Sequence, residues 1–142
     1  MHEILILNII RSKFKKVQEE FKDEFAQHMN YFLWDDITLN QDETNIDCVV
    51  RISFYTKNLA NSDKEGIDFE AHINKTKKLT FEIDLCFFQS NGTLYESSIF
   101  LMNLQSSKSE KKEVLNEIFK TVDLYKTQII EIIYKDYFPK LK

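Results

Sequence analysis

Two periodicities divide this chain. From about Asn8 to Trp34, Ile10, Phe14, Val17, Phe21, Phe25 and Met29 recur at steps of three and four residues, with Lys and Glu between them. That spacing predicts an amphipathic helix. Ile4 to Leu7 is an unbroken apolar run, which either starts the helix or forms a short edge strand. The polar segment "NQDET" reads as a loop, and beyond it the step falls to two.

In "IDCVVRISF", Ile46, Cys48, Val50, Ile52 and Phe54 alternate with Asp47, Val49, Arg51 and Ser53. In "IDFEAHI", Ile67, Phe69, Ala71 and Ile73 alternate with Asp68, Glu70 and His72. In "LTFEIDLCF", Leu79, Phe81, Ile83, Leu85 and Phe87 alternate with Thr80, Glu82, Asp84 and Cys86. Each segment predicts a strand with one buried and one wet face. Asn91-Gly92 is a two-residue hairpin signal, because both residues tolerate positive φ. A fourth strand follows, from about Thr93 to Leu104. Pairing Ser90 with Thr93 sets Ile83 against Phe100, Phe81 against Met102 and Leu79 against Leu104, apolar on apolar throughout.

The segment "SSKSEKKEV" then predicts a helix start, with Ser107 and Glu110 at the spacing of a capping box. The helix should run to about Tyr137, stopped by Pro139. Its apolar stripe is Leu115, Ile118, Val122, Tyr125, Ile129, Ile132 and Ile133. With two glycines and one proline in all, elements should be long and loops few. The expected fold is α+β in a single domain spanning residues 1–142. It consists of an N-terminal helix, a four-stranded antiparallel meander and a long C-terminal helix. Both helices should lie on one face of the sheet, the face of Phe54, Phe69, Phe81 and Phe100.

The other face is where charge changes the picture. If the "NKTKK" loop pairs Ile73 with Leu79, Glu70 falls opposite Glu82 and Asp68 opposite Asp84. The wet face then carries Asp47, Asp68, Glu70, Glu82 and Asp84 against Arg51 alone, five minus one, or −4, equal to the formal charge of the whole chain. Around them the same face presents Tyr55, Tyr95, Ile99 and Leu101, an apolar rim suited to a protein partner. The plainer alternative is a solvated face: Arg51 sits across from Glu70 and neutralises it, or a register shift separates the acids.

Composition narrows the classes further. The apolar fraction of 43% predicts a folded chain. The excess of 23 acidic over 19 basic residues argues against a nucleic-acid footprint. No run approaches the roughly 20 apolar residues of a membrane span. The opening "MHEILILNII" lacks the cationic start and small-residue cleavage site of a signal peptide, so a cytoplasmic protein is expected. Cys48 and Cys86 read as free thiols.

No catalytic or cofactor motif emerges, and neither a metal nor a cofactor is expected. Glu70, His72, Glu82 and Asp84 are chelating residue types, but on an open, flat face they lack the cleft that catalysis uses. The lysine that a strand-borne nuclease site needs is absent, since Glu82 is followed by Asp84 and Glu70 by His72. Gly66 and Gly92 stand alone, so no phosphate cradle forms. At the far end of the second helix, Tyr134, Tyr137 and Phe138 extend past the expected sheet. Either the first helix covers them or they seed a homodimer.

In size, acidity and lack of catalytic motifs, the chain resembles the small acidic immunity proteins that block secreted bacterial toxins. That likeness implies a basic protein partner. From Ile46 to Phe138, four strands and a helix with "FPKL" near the end are also similar to SecB-like export chaperones, which implies a holdase. The chain departs from that second pattern in its long helix before the sheet. An inhibitor of the immunity type is the expected function, with the holdase as the alternative and no enzyme activity.

Overall fold

The computed structural model describes residues 2–27, 32–34, 38–41, 47–56, 66–89 and 95–137. Helix α1 (His2–Glu24) is followed by six strands: β1 (Phe32–Trp34), β2 (Thr38–Gln41), β3 (Asp47–Thr56), β4 (Gly66–Lys77), β5 (Thr80–Gln89) and β6 (Tyr95–Asn103). Helix α2 (Lys108–Ile132) closes the described chain and ends in a π-helical turn, Ile133–Tyr137. The fold is α+β, and β3 to β6 form the antiparallel meander that the alternating pattern predicts.

The first helix is shorter than its pattern suggests. It begins at His2, which resolves the Ile4–Leu7 ambiguity in favour of helix, and it ends at Glu24 rather than Trp34. Phe32–Trp34 pairs with β3 instead. Three bulky side chains in a row favour an extended backbone, and the edge of β3 offers them ladder hydrogen bonds. Part of the expected "NQDET" loop is also strand, since Thr38–Gln41 pairs further along the same edge. Met29 lies outside the described residues, as do Asn91-Gly92 and Pro139.

The β5–β6 register is as predicted, with Ile83 opposite Phe100 and Phe81 opposite Met102. The Leu104 amide donates to the Leu79 carbonyl at 2.7 Å. The β4–β5 register is not. Strand β4 continues to Lys77, so only Lys78 and Leu79 make the reversal, and Ile73 pairs with Ile83 rather than Leu79. The slip is four residues (83 − 79), an even number, so every side chain keeps its face. Glu70 now lies opposite Cys86 and Asp84 opposite His72, and the expected Glu70–Glu82 and Asp68–Asp84 pairs do not form. Longer pairing wins twice, adding ladder bonds and avoiding like-charge contacts worth some tenths of a kcal/mol to about 1 kcal/mol each. Its cost is Leu79 in the left-handed region, at φ 69°, roughly 1–2 kcal/mol for a residue with a Cβ.

Both helices cover the same face and share one core with it. Helix α1 lies over β3 and α2 over β5 and β6. Ile10, Phe14, Val17 and Phe21 of α1 and Phe25 just past its end are all buried, as are Ile118, Val122, Tyr125 and Ile129 of α2 and Ile133 in the turn that follows it. The seam is aromatic: Phe14 meets Phe69 at 4.8 Å, and Tyr125 stands edge-on to Phe69 and Phe87 at 6.0 and 5.6 Å. The Tyr125 hydroxyl reaches Ser98 Oγ at 2.9 Å, so its polar end is satisfied within the apolar seam.

The helices run parallel. Lys13 pairs with Asp123 at 2.8 Å, Lys126 with Glu20, and Tyr134 packs on Phe25, so position rises together along both. At α2's start, Ser107 Oγ accepts from the Glu110 amide at 3.2 Å, the expected cap. At its end, the Tyr134 hydroxyl donates to Glu24 Oε1 at 2.9 Å. Helix α1 therefore gives Tyr134 a hydrogen-bond partner without covering it, since Tyr134 stays 43% exposed. Phe138 lies outside the described residues.

Candidate functional site

The outward side chains of the meander form rungs across four strands. One rung is Arg51, Glu70, Cys86 and Ser97, the next Val49, His72, Asp84 and Ile99. Below them lie Asn74, Glu82 and Leu101, and above them Ser53, Asp68 and Phe88. Asp68, Glu70, Glu82, Asp84, Ile99 and Leu101, all singled out in the sequence, thus share one face. Asp47 stands opposite Asn74, Tyr55 opposite Gly66 and Tyr95 opposite Phe88 at its margins.

This face is not uniformly wet. Glu70 is only 5% exposed and Ser53 and Cys86 are buried beside it. Arg51 Nε and Nη2 both donate to Glu70 Oε1, at 3.0 and 2.8 Å, and His72 Nε2 lies 3.5 Å from the same oxygen. Burying a carboxylate requires a charged donor such as this guanidinium. Burial, and then the negative charges of Glu70 and Asp84, push the Cys86 thiol up to about 12. Held protonated, it has neither the nucleophilicity nor the metal affinity of a thiolate. Among the described residues, no group of three or more His, Cys, Asp or Glu is placed to hold a metal.

With Glu70 neutralised, the remaining acids of this face on β4 and β5 are Asp68, Glu82 and Asp84. Together with Glu70 and with Arg51 of β3, these make four carboxylates and one guanidinium, which sum to −3. Asp68 and Asp84 each keep one buried oxygen with no hydrogen-bond partner among the described residues, so the face retains acceptor capacity.

The feature that sequence reasoning missed is the edge. Strand β6 ends the sheet. Because Leu104 and Leu79 form a hydrogen-bonded pair, the antiparallel alternation turns the backbone groups of Ser97, Ile99, Leu101 and Asn103 away from β5. Among the described residues no strand takes them up. Ile99 and Leu101 are each 63% exposed. Natural edges are blunted by Lys, Pro or bulges. The sequence of β6, YESSIFLMN, has one charge and no Pro, and its pairing with β5 is regular.

Acids border this edge on both sides. Across β5, Asp84 lies opposite Ile99 and Glu82 opposite Leu101. On the helix side, Glu113 and Glu117 of α2 line a hollow of about 630 Å³ with Ile99, Phe100, Leu101 and Val114. Lys120, also in its lining, pairs with Glu117 at 3.6 Å. The one available signal for the helix acids was their spacing at 110, 113 and 117, which puts them on one side of α2.

Among the described residues no helix is long and apolar enough to cross a membrane. Compared with protein-family models, curated proteins and solved structures, the chain matches none.

Proposed function

We propose that this protein is a binding module that captures a basic protein partner by adding one of its strands to the free edge of β6. The carrying observation is the apolar β6 edge, which no strand among the described residues pairs, with Ile99 and Leu101 at 63% exposure. Strand addition draws affinity from main-chain hydrogen bonds and specificity from alternate side chains. Here the alternate positions meet Ile99 and Leu101, with Asp84 and Glu82 one strand further in. A lysine reaching within about 8 Å of either acid gains roughly 0.5–2 kcal/mol at effective dielectrics of 80 to 20. Pairing two copies of β6 instead brings the Glu82 and Asp84 border of one edge toward the same acidic border of the other, so a basic stranger fits better than a second copy.

In use, such a module acts as an inhibitor of the immunity type, occupying a working surface of a basic toxin. The test is binding of two labelled strand peptides, one alternating Val and Lys, the other Val and Glu. The Val–Lys peptide should bind, weaken with salt and be lost in Leu101→Lys, while the Val–Glu peptide stays free. Equal binding of both, with suppression of aggregation of unrelated unfolded proteins, would replace this reading with the holdase.

A further inference from the structure

A second recess lies away from the outer face, at the end where the parallel helices both begin. Leu5, Ile6 and Ile9 of α1, Met102 and Leu104 from the end of β6, and Leu115 of α2 line a groove of about 360 Å³. Its remaining lining is Lys108, Lys111 and Lys112. Leu5, at 58% exposure, stands open to solvent.

The charges around it are sorted. The first turns of α2 read KSEKKE. Lys108 and Lys112 line the groove, Lys111 lies between it and a neighbouring hollow on the β6 side, and Glu110 and Glu113 line that second hollow and not the groove. Among the described residues none of the three lysines has an ion-pair partner, which they share with Lys15, Lys16, Lys22 and Lys135, whereas Lys13, Lys120 and Lys126 are paired. Because α1 and α2 are parallel, the positive ends of both helix dipoles also face this end. In a protein of net charge −4, this is a local concentration of positive potential beside an aliphatic slot.

From that juxtaposition we infer that the groove binds a single-chain anionic amphiphile, a fatty-acid carboxylate, with the alkyl chain along the aliphatic wall and the head among the lysines. The volume is at the lower end of the roughly 300–1,000 Å³ of small-ligand sites, suited to one unbranched chain. Among the described residues the apolar wall has no aromatic side chain, which favours an alkyl chain over a ring system that would stack. The inference is independent of the β6 edge, which neither supplies the lysines nor receives the ligand.

Titration calorimetry with octanoate, decanoate, dodecanoate and myristate, each below its micellar concentration, tests it. Affinity should rise about fourfold per methylene until the groove is filled, and then level off. Decanol should bind more weakly than decanoate. The variant Lys108→Gln/Lys111→Gln/Lys112→Gln should lose about tenfold for decanoate and little for decanol, with an unchanged circular dichroism spectrum. Leu5→Asp, at an exposed position that folding does not depend on, should abolish binding of both. Equal affinity for decanol and decanoate, or no saturable binding, would overturn the proposal. So would light scattering that shows a dimer which Leu5→Asp dissociates, since the occupant would then be a second copy.

Discussion

Replacing Arg51 with Met should destabilise the protein far more than a surface charge normally does, because it strands Glu70. The Glu70 side chain is 7% exposed and receives two guanidinium hydrogen bonds on one oxygen, with His72 Nε2 3.5 Å from the same oxygen. Removing one partner of a fully buried pair costs about 3–5 kcal/mol, whereas an exposed pair is worth about 0–1 kcal/mol. Arg51 is itself 38% exposed, so solvent screens the pair and the expected cost falls between these limits, about 2 kcal/mol. Glu70→Gln keeps the shape and frees Arg51 toward water, for about 0.5–1 kcal/mol. Added to Arg51→Met, it should recover about 1 kcal/mol, because the stranded charge is gone. Urea denaturation of the four proteins measures this cycle, and Arg51→Met should lower Tm by about 4–8 °C. A cost under about 0.5 kcal/mol, or strict additivity in the double variant, would refute the reasoning.

Three further outcomes follow from the geometry. Ser107→Ala removes the acceptor of the Glu110 amide and should cost about 1 kcal/mol by thermal denaturation, and no change in Tm would contradict the cap. Cys48 and Cys86, both buried, should resist a disulfide reagent at pH 8 and react together on unfolding. Since the folded Cys86 thiol is raised from 9.0 to about 12, its stability contribution should be complete below pH 9 and lost as pH rises through that interval, with Cys86→Ala flattening the alkaline slope. Burial, then the hydrogen bond and charge of Glu24, raise the Tyr134 phenol above its ordinary 10. Ultraviolet titration should show a late phenol that Glu24→Gln brings down.

The strand faces and core were legible because burial imposes period two on strands and 3.6 on helices. Every predicted stripe residue of α1 within the described chain is buried, as are five of the seven in α2, with Leu115 and Ile132 partly so. The cap at Ser107 was legible because its chemistry is local. What failed was register and termination, where non-local pairing decides. Nothing around "NKTKK" says that β4 should run to Lys77 and leave the turn to Lys78 and Leu79, since Leu79 then adopts a φ that Leu disfavours. Phe32–Trp34 continues the helical apolar content and becomes strand only because β3 has an edge to fill. The candidate acids were legible as one face, but their opposition was not. The lone Arg51 proved to be placed on the most buried of them. The open edge of β6 could not be seen at all without strand order, since alternation tells which way a side chain points and not which strand is last.

Amide hydrogen exchange along β6 is the most direct test of the proposed binding mode. In the free protein the amides of Ile99 and Leu101 should exchange rapidly, and those of Phe100 and Met102, which face β5, should exchange slowly. On saturation with the alternating Val–Lys strand peptide, Ile99 and Leu101 should become protected, with Ser97 and Asn103, which face the same way, following wherever the peptide reaches them. Protection that leaves Ile99 and Leu101 exchanging as before, and appears instead on the helices or on β3 and β4, would contradict strand addition at this edge.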